Sequence, residues 1–201
     1  MAYHGYASLV KGFISQLPPK HVPSVLEVGI DRGVMLIPLV AFLARTREVF
    51  AVIGVDIMVQ EQVQIMLANL DLRPTQHAHC VEANSLETLP KMIDQGMKFD
   101  VILLDGDHNY HTVAEELKHL DALTHQHSIV IIDDYDGRWA EKDLWYADRP
   151  GYEEVKIATP QVGTDEHGVK PAVDEWLSAH PEWHKSKPVQ GEPILLMRQP
   201  I

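Results

Sequence analysis

Apolar residues fall along this chain in two alternating patterns. Short runs rich in β-branched residues occupy Val25 to Val28, Val49 to Val55, His77 to Val81, Phe99 to Leu104 and Ser128 to Ile132. Between them, Gly33 to Arg47, Val59 to Leu70, Leu86 to Gln95 and Tyr110 to Leu123 carry apolar positions at helical spacing. Strands alternating with amphipathic helices predict an α/β fold around a mainly parallel sheet. The runs Phe99-Asp-Val-Ile-Leu-Leu and Ile129-Val-Ile-Ile are apolar almost throughout, as strands covered on both faces must be, so they are expected at the centre of the sheet.

The regularity stops after Asp134. About 30 residues follow with charges, prolines and the aromatics Trp139, Trp145, Tyr146 and Tyr152, which predicts a lid or insertion at about 137–168 on a single domain spanning 1–201. A helix is expected from about Val169 to Ala179. Two extended stretches, Trp183 to Pro188 and Pro193 to Met197, joined by a turn at Gln190-Gly191, read as a hairpin closing one edge of the sheet. An early helix over 5–17 is expected either to close the site from the other side or to form the contact of a homodimer.

Composition narrows the class of function. With 201 residues, 45% of them hydrophobic and 23% charged, the chain suits one globular domain with a sizeable core. Its net charge of −12 sets the overall field against polyanions, so nucleic acid and anionic membrane surfaces are disfavoured partners. A single cysteine, Cys80, excludes an intrachain disulfide and a cysteine-rich zinc module, and points to a reducing compartment. Met1 to Lys11 lacks the pattern of a signal peptide, and no run approaches the ~20 apolar residues of a membrane span. A soluble, cytoplasmic protein is expected.

In a parallel α/β sheet, ligands sit beyond the carboxyl ends of the strands, so the chemistry is sought there. The first strand ends in Glu27-Val-Gly-Ile-Asp-Arg-Gly33, where Gly29 permits a tight turn and Gly33 a close start of the next helix. Asp31 stands where a dinucleotide fingerprint has its middle glycine, and its charge disfavours a pyrophosphate. The second strand ends at Asp56, suited to the hydroxyls of a ribose or to capping the following helix. After the third strand, Asn84 or Ser85 caps the next helix and leaves the other for a nucleobase edge, although capping alone accounts for both. Strand four ends in Asp105-Gly-Asp-His-Asn-Tyr and strand five in Asp133-Asp-Tyr-Asp. On adjacent strands about 4.8 Å apart, Asp105, Asp133 and Asp134 converge, and such acids call for a positive partner. A hard divalent ion such as Mg²⁺ fits them; capping of the following helices in solvent is the alternative.

Glu27-x-Gly-x-x-x-Gly33, Asp56, Ala83-Asn-Ser, Asp105-Gly-Asp-His and Asp133-Asp-Tyr, in this order and spacing, resemble a class I methyltransferase dependent on S-adenosylmethionine. The closer likeness is to metal-dependent O-methyltransferases of the catechol and macrocin/sugar types. It covers roughly residues 20 to 135 and continues more weakly to the C-terminal hairpin. The resemblance implies a Rossmann-like three-layer sandwich with a seven-stranded, mostly parallel sheet and an antiparallel C-terminal strand. It implies that Glu27, Gly29, Asp31 and Gly33 pack on the methionine portion of the cofactor, Asp56 binds its ribose, and Asn84 and Ser85 lie by its adenine. It further implies that Asp105 serves the cofactor as well as the metal, and that Asp133 and Asp134 complete the metal ligands. The chain departs from the pattern twice: Asn84 stands where many members have aspartate, and Thr124-His-Gln-His127 replaces a Pro-Gly-Gly turn before strand five.

The expected chemistry is therefore methyl transfer to a hydroxyl of a small molecule. Mg²⁺ on Asp105, Asp133 and Asp134 would stabilise the acceptor's alkoxide or phenolate form. His108 is the first choice for general base and Asp107 the second, with the orientation of a carboxylate or water as the other role for His108. His77 and His79 share one strand face without a fourth ligand and read as surface residues, and His125 and His127 read as turn residues. Trp139, Trp145 and Tyr146 either line a lid over the acceptor or cover the edge of the core. Three alternatives stand beside this: a metal-independent methyltransferase, a glycosyltransferase holding a nucleotide sugar through Asp105-Gly-Asp107, and a binding module without turnover.

Overall fold

A computed structural model of the chain describes residues 5–186 and 193–198. The elements run α1 (Tyr6–Gln16), β1 (Ser24–Val28), α2 (Leu36–Thr46), β2 (Phe50–Asp56), α3 (Glu61–Ala68), β3 (Gln76–Glu82), α4 (Ser85–Asp94) and β4 (Phe99–Leu104). They continue with α5 (Tyr110–Leu117), α6 (Leu120–Leu123), β5 (Thr124–Ile132), α7 (Val169–Ala179), β6 (Trp183–Ser186) and β7 (Ile194–Arg198). One seven-stranded sheet has the order β3-β2-β1-β4-β5-β7-β6. Strands β1 to β5 pair in parallel and β7 is antiparallel to both its neighbours, which is the Rossmann-like sandwich expected.

Side chains alternate across a strand, so the unbroken apolar runs feed two cores. In β4, Val101 and Leu103 join the layer packed against α1, α2 and α3, while Ile102 and Leu104 join the layer of α4, α5, α6 and α7. Burying both faces fixes β1, β4 and β5 at the centre of the sheet. Among the described residues, no helix is long and apolar enough to cross a membrane.

Three boundaries differ markedly from the sequence expectation. Helix α2 begins at Leu36, because Asp31 to Met35 form turns in which Asp31 and Gly33 take left-handed backbone angles. The helix expected over Tyr110 to Leu123 breaks at Lys118 and His119 into α5 and α6. Thr124 to His127 are the start of β5 rather than a turn. Between the pairs Phe99↔Thr124 and Val101↔Ile129 the register shifts, and the extra residues bulge to carry His125 onto Asp100. His125 thus has a buried partner. The turn expected at Gln190-Gly191 lies outside the described residues.

Candidate active site

The strand order reverses between β1 and β4, and the space beyond their carboxyl ends is where an α/β sheet takes its ligands. Backbone bonds carry the ladder one step past each strand: Gly29 N–H donates to Val55 O (2.8 Å), Asp105 N–H to Val28 O (2.8 Å) and Asp133 N–H to Leu104 O (3.0 Å). These bonds hold Gly29, Asp105 and Asp133 side by side. Gly29 has φ +87°, and a Cβ there would lie 2.0 Å from the Asp105 carbonyl oxygen, so only glycine allows the two loops to touch.

Two cavities meet at this contact. One, of about 60 Å³, is lined by residues that include Asp56, Asn84, Ser85, Asp107, Tyr152 and Thr159. The other, of about 380 Å³, includes Tyr6, Glu27, His108, Asp133, Asp134 and Arg149 in its wall. Gly29, Asp31, Asp105 and Tyr146 line both.

In the smaller cavity, Asp56 draws in the glycine loop. Its Oδ2 accepts from the N–H of Ile30 (2.7 Å) and Asp31 (3.1 Å), and its Oδ1 from Met58 N–H (2.9 Å). Three donors leave a carboxylate with room for another. Of the pair after β3, Asn84 is the cap: its Oδ1 accepts from Leu86 N–H (2.8 Å) while its Nδ2 donates to Ile157 O (2.8 Å) and Thr159 Oγ1 (3.0 Å). Ser85 is buried and lines this cavity, and burial pushes the nearby carboxyl of Glu116 up to about 8. Asp107 lines this cavity and not the larger one. Its Oδ1 accepts from Tyr146 N–H (2.9 Å), and burial pushes its carboxyl up to about 6.

In the larger cavity, Asp105, His108 and Asp133 each offer a ligand atom within 4.8 Å of the others. His108 Nε2 lies 3.7 Å from Asp105 Oδ1, and Nδ1 lies 3.9 Å from Asp134 Oδ2 on its other side. Asp134 therefore flanks the imidazole instead of joining the group of three. It holds a left-handed φ of +56°, and burial raises its carboxyl. Burial, then the charge of Asp133, holds the Asp105 carboxyl well above the usual range. Burial pushes His108 toward its neutral form against the pull of Asp133 and Asp134. Glu27 is buried with Oε2 unpartnered among the described residues; burial first, and Asp56 second, raises its carboxyl.

Tyr6, at the start of α1, donates its hydroxyl to Asp133 Oδ1, and burial holds that hydroxyl far from ionisation. Sequence reasoning gave it no role. The available signal was a tyrosine on the same helical stripe as Val10 and Ile14, a ring that fits the core with a polar tip needing a partner.

A family model described as a methyltransferase domain matches residues 26–135, which is more than half of the chain. No curated protein matches. Among solved structures, the calicheamicin-biosynthesis enzyme CalS11, a TDP-rhamnose 3'-O-methyltransferase, is 14% identical with a TM-score of 0.59, covering 95% of this chain and 76% of its own. Human methyltransferase-like protein 13 in complex with SAH is 12% identical, with a TM-score of 0.54 over 96% of this chain and 81% of its own. MycE from the mycinamycin pathway, in complex with Mg, SAH and mycinamycin VI, is 13% identical, with a TM-score of 0.53 over 98% of this chain and 50% of its own. These likenesses are ones of fold. The matched segment runs from the glycine loop to the acids after β5, so the expectation of a glycosyltransferase falls, and the chain belongs to the methyltransferase domain family.

Proposed function

We propose that the protein transfers the methyl group of S-adenosylmethionine to a hydroxyl of a small molecule, with a divalent cation assisting. The observation that carries this is the pair of cavities sharing the wall of Gly29, Asp31, Asp105 and Tyr146. One has the ribose-type acid Asp56; the other has the acids and the imidazole. Donor and acceptor in adjoining pockets meet at a shared wall, which is the arrangement an in-line displacement needs.

S-adenosylmethionine supplies an already activated methyl group. In the smaller cavity, Asp56 has capacity for a hydroxyl donor and Ser85 lies beside the helix cap, while the buried carboxyl of Glu27 lines the larger one.

The chemistry of the donor set fits a divalent cation. The ligand atoms of Asp105, His108 and Asp133 lie within 4.8 Å of one another, and two carboxylates so close repel each other unless a cation or a proton stands between them. Asp105 and Asp133 would hold the ion, since Mg²⁺ characteristically takes one or two carboxylates and keeps water. When bound, the ion stabilises negative charge on an acceptor oxygen. Asp134 beside Nδ1 orients the imidazole and leaves Nε2 of the neutral ring facing the acids, where it takes the acceptor's proton. Tyr6 fixes Asp133 from α1. Residues 137–168 form a lid that selects the acceptor, and Asn84 ties it down through Ile157 and Thr159.

Support also comes from the neighbours: MycE holds Mg and SAH together, and CalS11 methylates a sugar hydroxyl. The test is calorimetry with S-adenosylmethionine, followed by turnover with and without excess chelator. Binding in the micromolar to millimolar range, with activity lost in chelator and restored by Mg²⁺, is expected. No binding at millimolar cofactor defeats the proposal, and full activity in chelator leaves a metal-independent enzyme.

A further inference from the structure

The larger cavity has Glu27, Asp31, Asp105, Asp133 and Asp134 in its wall, and it nevertheless contains two arginines, Arg138 and Arg149. Cations placed there to neutralise those acids would pair with them. Among the described residues, neither arginine forms an ion pair; each guanidinium lies over an aromatic ring instead. The Arg138 guanidinium carbon is 4.7 Å from the Trp139 ring centre, and that of Arg149 is 4.9 Å from the Tyr146 ring centre.

Stacking on a ring steadies the plane of a guanidinium while its edge, with the fork of N–H donors, stays available. That edge matches the paired oxygens of a phosphate or carboxylate in bidentate fashion. Both side chains are solvent-exposed and both line the same cavity as His108, and Arg149 is close enough for its charge to act on the imidazole. A neutral acceptor would use their N–H donors but not their charge. An anionic one would need them, since the protein's net charge of −12 and the acids of the wall otherwise repel it.

Resting on the proposed methyl transfer, we infer that the acceptor is a hydroxylated molecule that also carries an oxyanion, a phosphate ester or a carboxylate, held by Arg138 and Arg149 while its hydroxyl lies toward His108. The arginines and His108 then read two different groups of one molecule. The arginines are specificity residues, and neither lines the methyl donor's cavity.

The test uses the full chain loaded with Mg²⁺ and S-adenosylhomocysteine, titrated by calorimetry with glucose, glucose 6-phosphate and glucuronate. At least one charged probe should bind about tenfold or more tightly than glucose, and the phosphate and carboxylate arms identify which oxyanion is preferred. The double variant Arg138→Gln/Arg149→Gln should lose that preference and keep its affinity for S-adenosylhomocysteine. Equal binding of charged and neutral probes, no binding of either charged probe, or a preference that survives in the double variant overturns the inference. Failure of S-adenosylhomocysteine to bind would instead remove the methyltransferase proposal beneath it, so the two failures are told apart.

Discussion

Asp100 and Asp105 stand at opposite ends of the same strand region, each with a histidine beside it, and they are put to opposite uses. Asp100 is 1% exposed and fully engaged: Oδ1 meets His21 Nε2 (2.7 Å) and His125 Nε2 (2.8 Å), and Oδ2 accepts from Ser24 N–H (2.8 Å) and Ser24 Oγ (3.1 Å). It braces the loop before β1 and the bulge of β5 against β4. At the other end, Asp105 faces acids, and a cavity opens beside it. The same residue types make a brace where donors surround each acceptor, and a reactive site where acid meets acid.

The contrast breaks most sharply on activity. Asp133→Asn should lower kcat/KM on the order of 10³-fold, with cofactor affinity within about twofold, because charge is lost only where it develops in the transition state. Equal loss of both in titration and turnover assays would make Asp133 a structural acid like Asp100. Next in size, His108→Ala should reduce kcat about 10²-fold or more with Mg²⁺ affinity retained. A parallel loss of Mg²⁺ binding would move His108 from base to ligand. Asp100→Ala is the mirror experiment: denaturation in urea should show a loss of about 3 kcal/mol, from histidine and serine donors left without an acceptor, with kcat unchanged in the folded fraction.

The smallest effect is on pH. Glu116 has its carboxyl pushed from the ordinary 4.5 up to about 8, and Asp107 from 3.8 up to about 6, so the folded protein keeps protons that the unfolded chain releases. Stability is then fullest below the ordinary carboxylate range and declines as pH rises toward 8. Glu116→Gln should flatten that decline by on the order of 2 kcal/mol between pH 5 and pH 8. An unchanged slope would show that other buried acids carry it.

Much of the sheet was legible because β1, β4 and β5 are buried on both faces, which leaves an apolar run that no surface element shares. The break between α5 and α6 was not legible, since Tyr110 to Leu123 keeps one apolar period across it. The bulge in β5 depends on Asp100, a partner 25 positions from His125, and local pattern does not reach so far. The acids of the site could be placed from strand ends alone. Which cavity each faces could not: Asp107 lines the smaller cavity, where its oxygen takes Tyr146 N–H, and Tyr6 reaches Asp133 across 127 positions. Arg138 and Arg149 lie in a segment without period, where only stacking on Trp139 and Tyr146 distinguishes them.

The segment over the two cavities is fastened largely by its main chain. Leu144 N–H reaches His108 O, Tyr146 N–H reaches Asp107, Ile157 O takes the amide of Asn84, and the carbonyls of Trp139 and Ala140 take the N–H groups of Val169 and Lys170. None of these bonds depends on which side chain the segment carries at those points. Its residues can therefore drift over generations while its attachment persists, and new acceptors can be tried on an inherited sheet without refounding the fold.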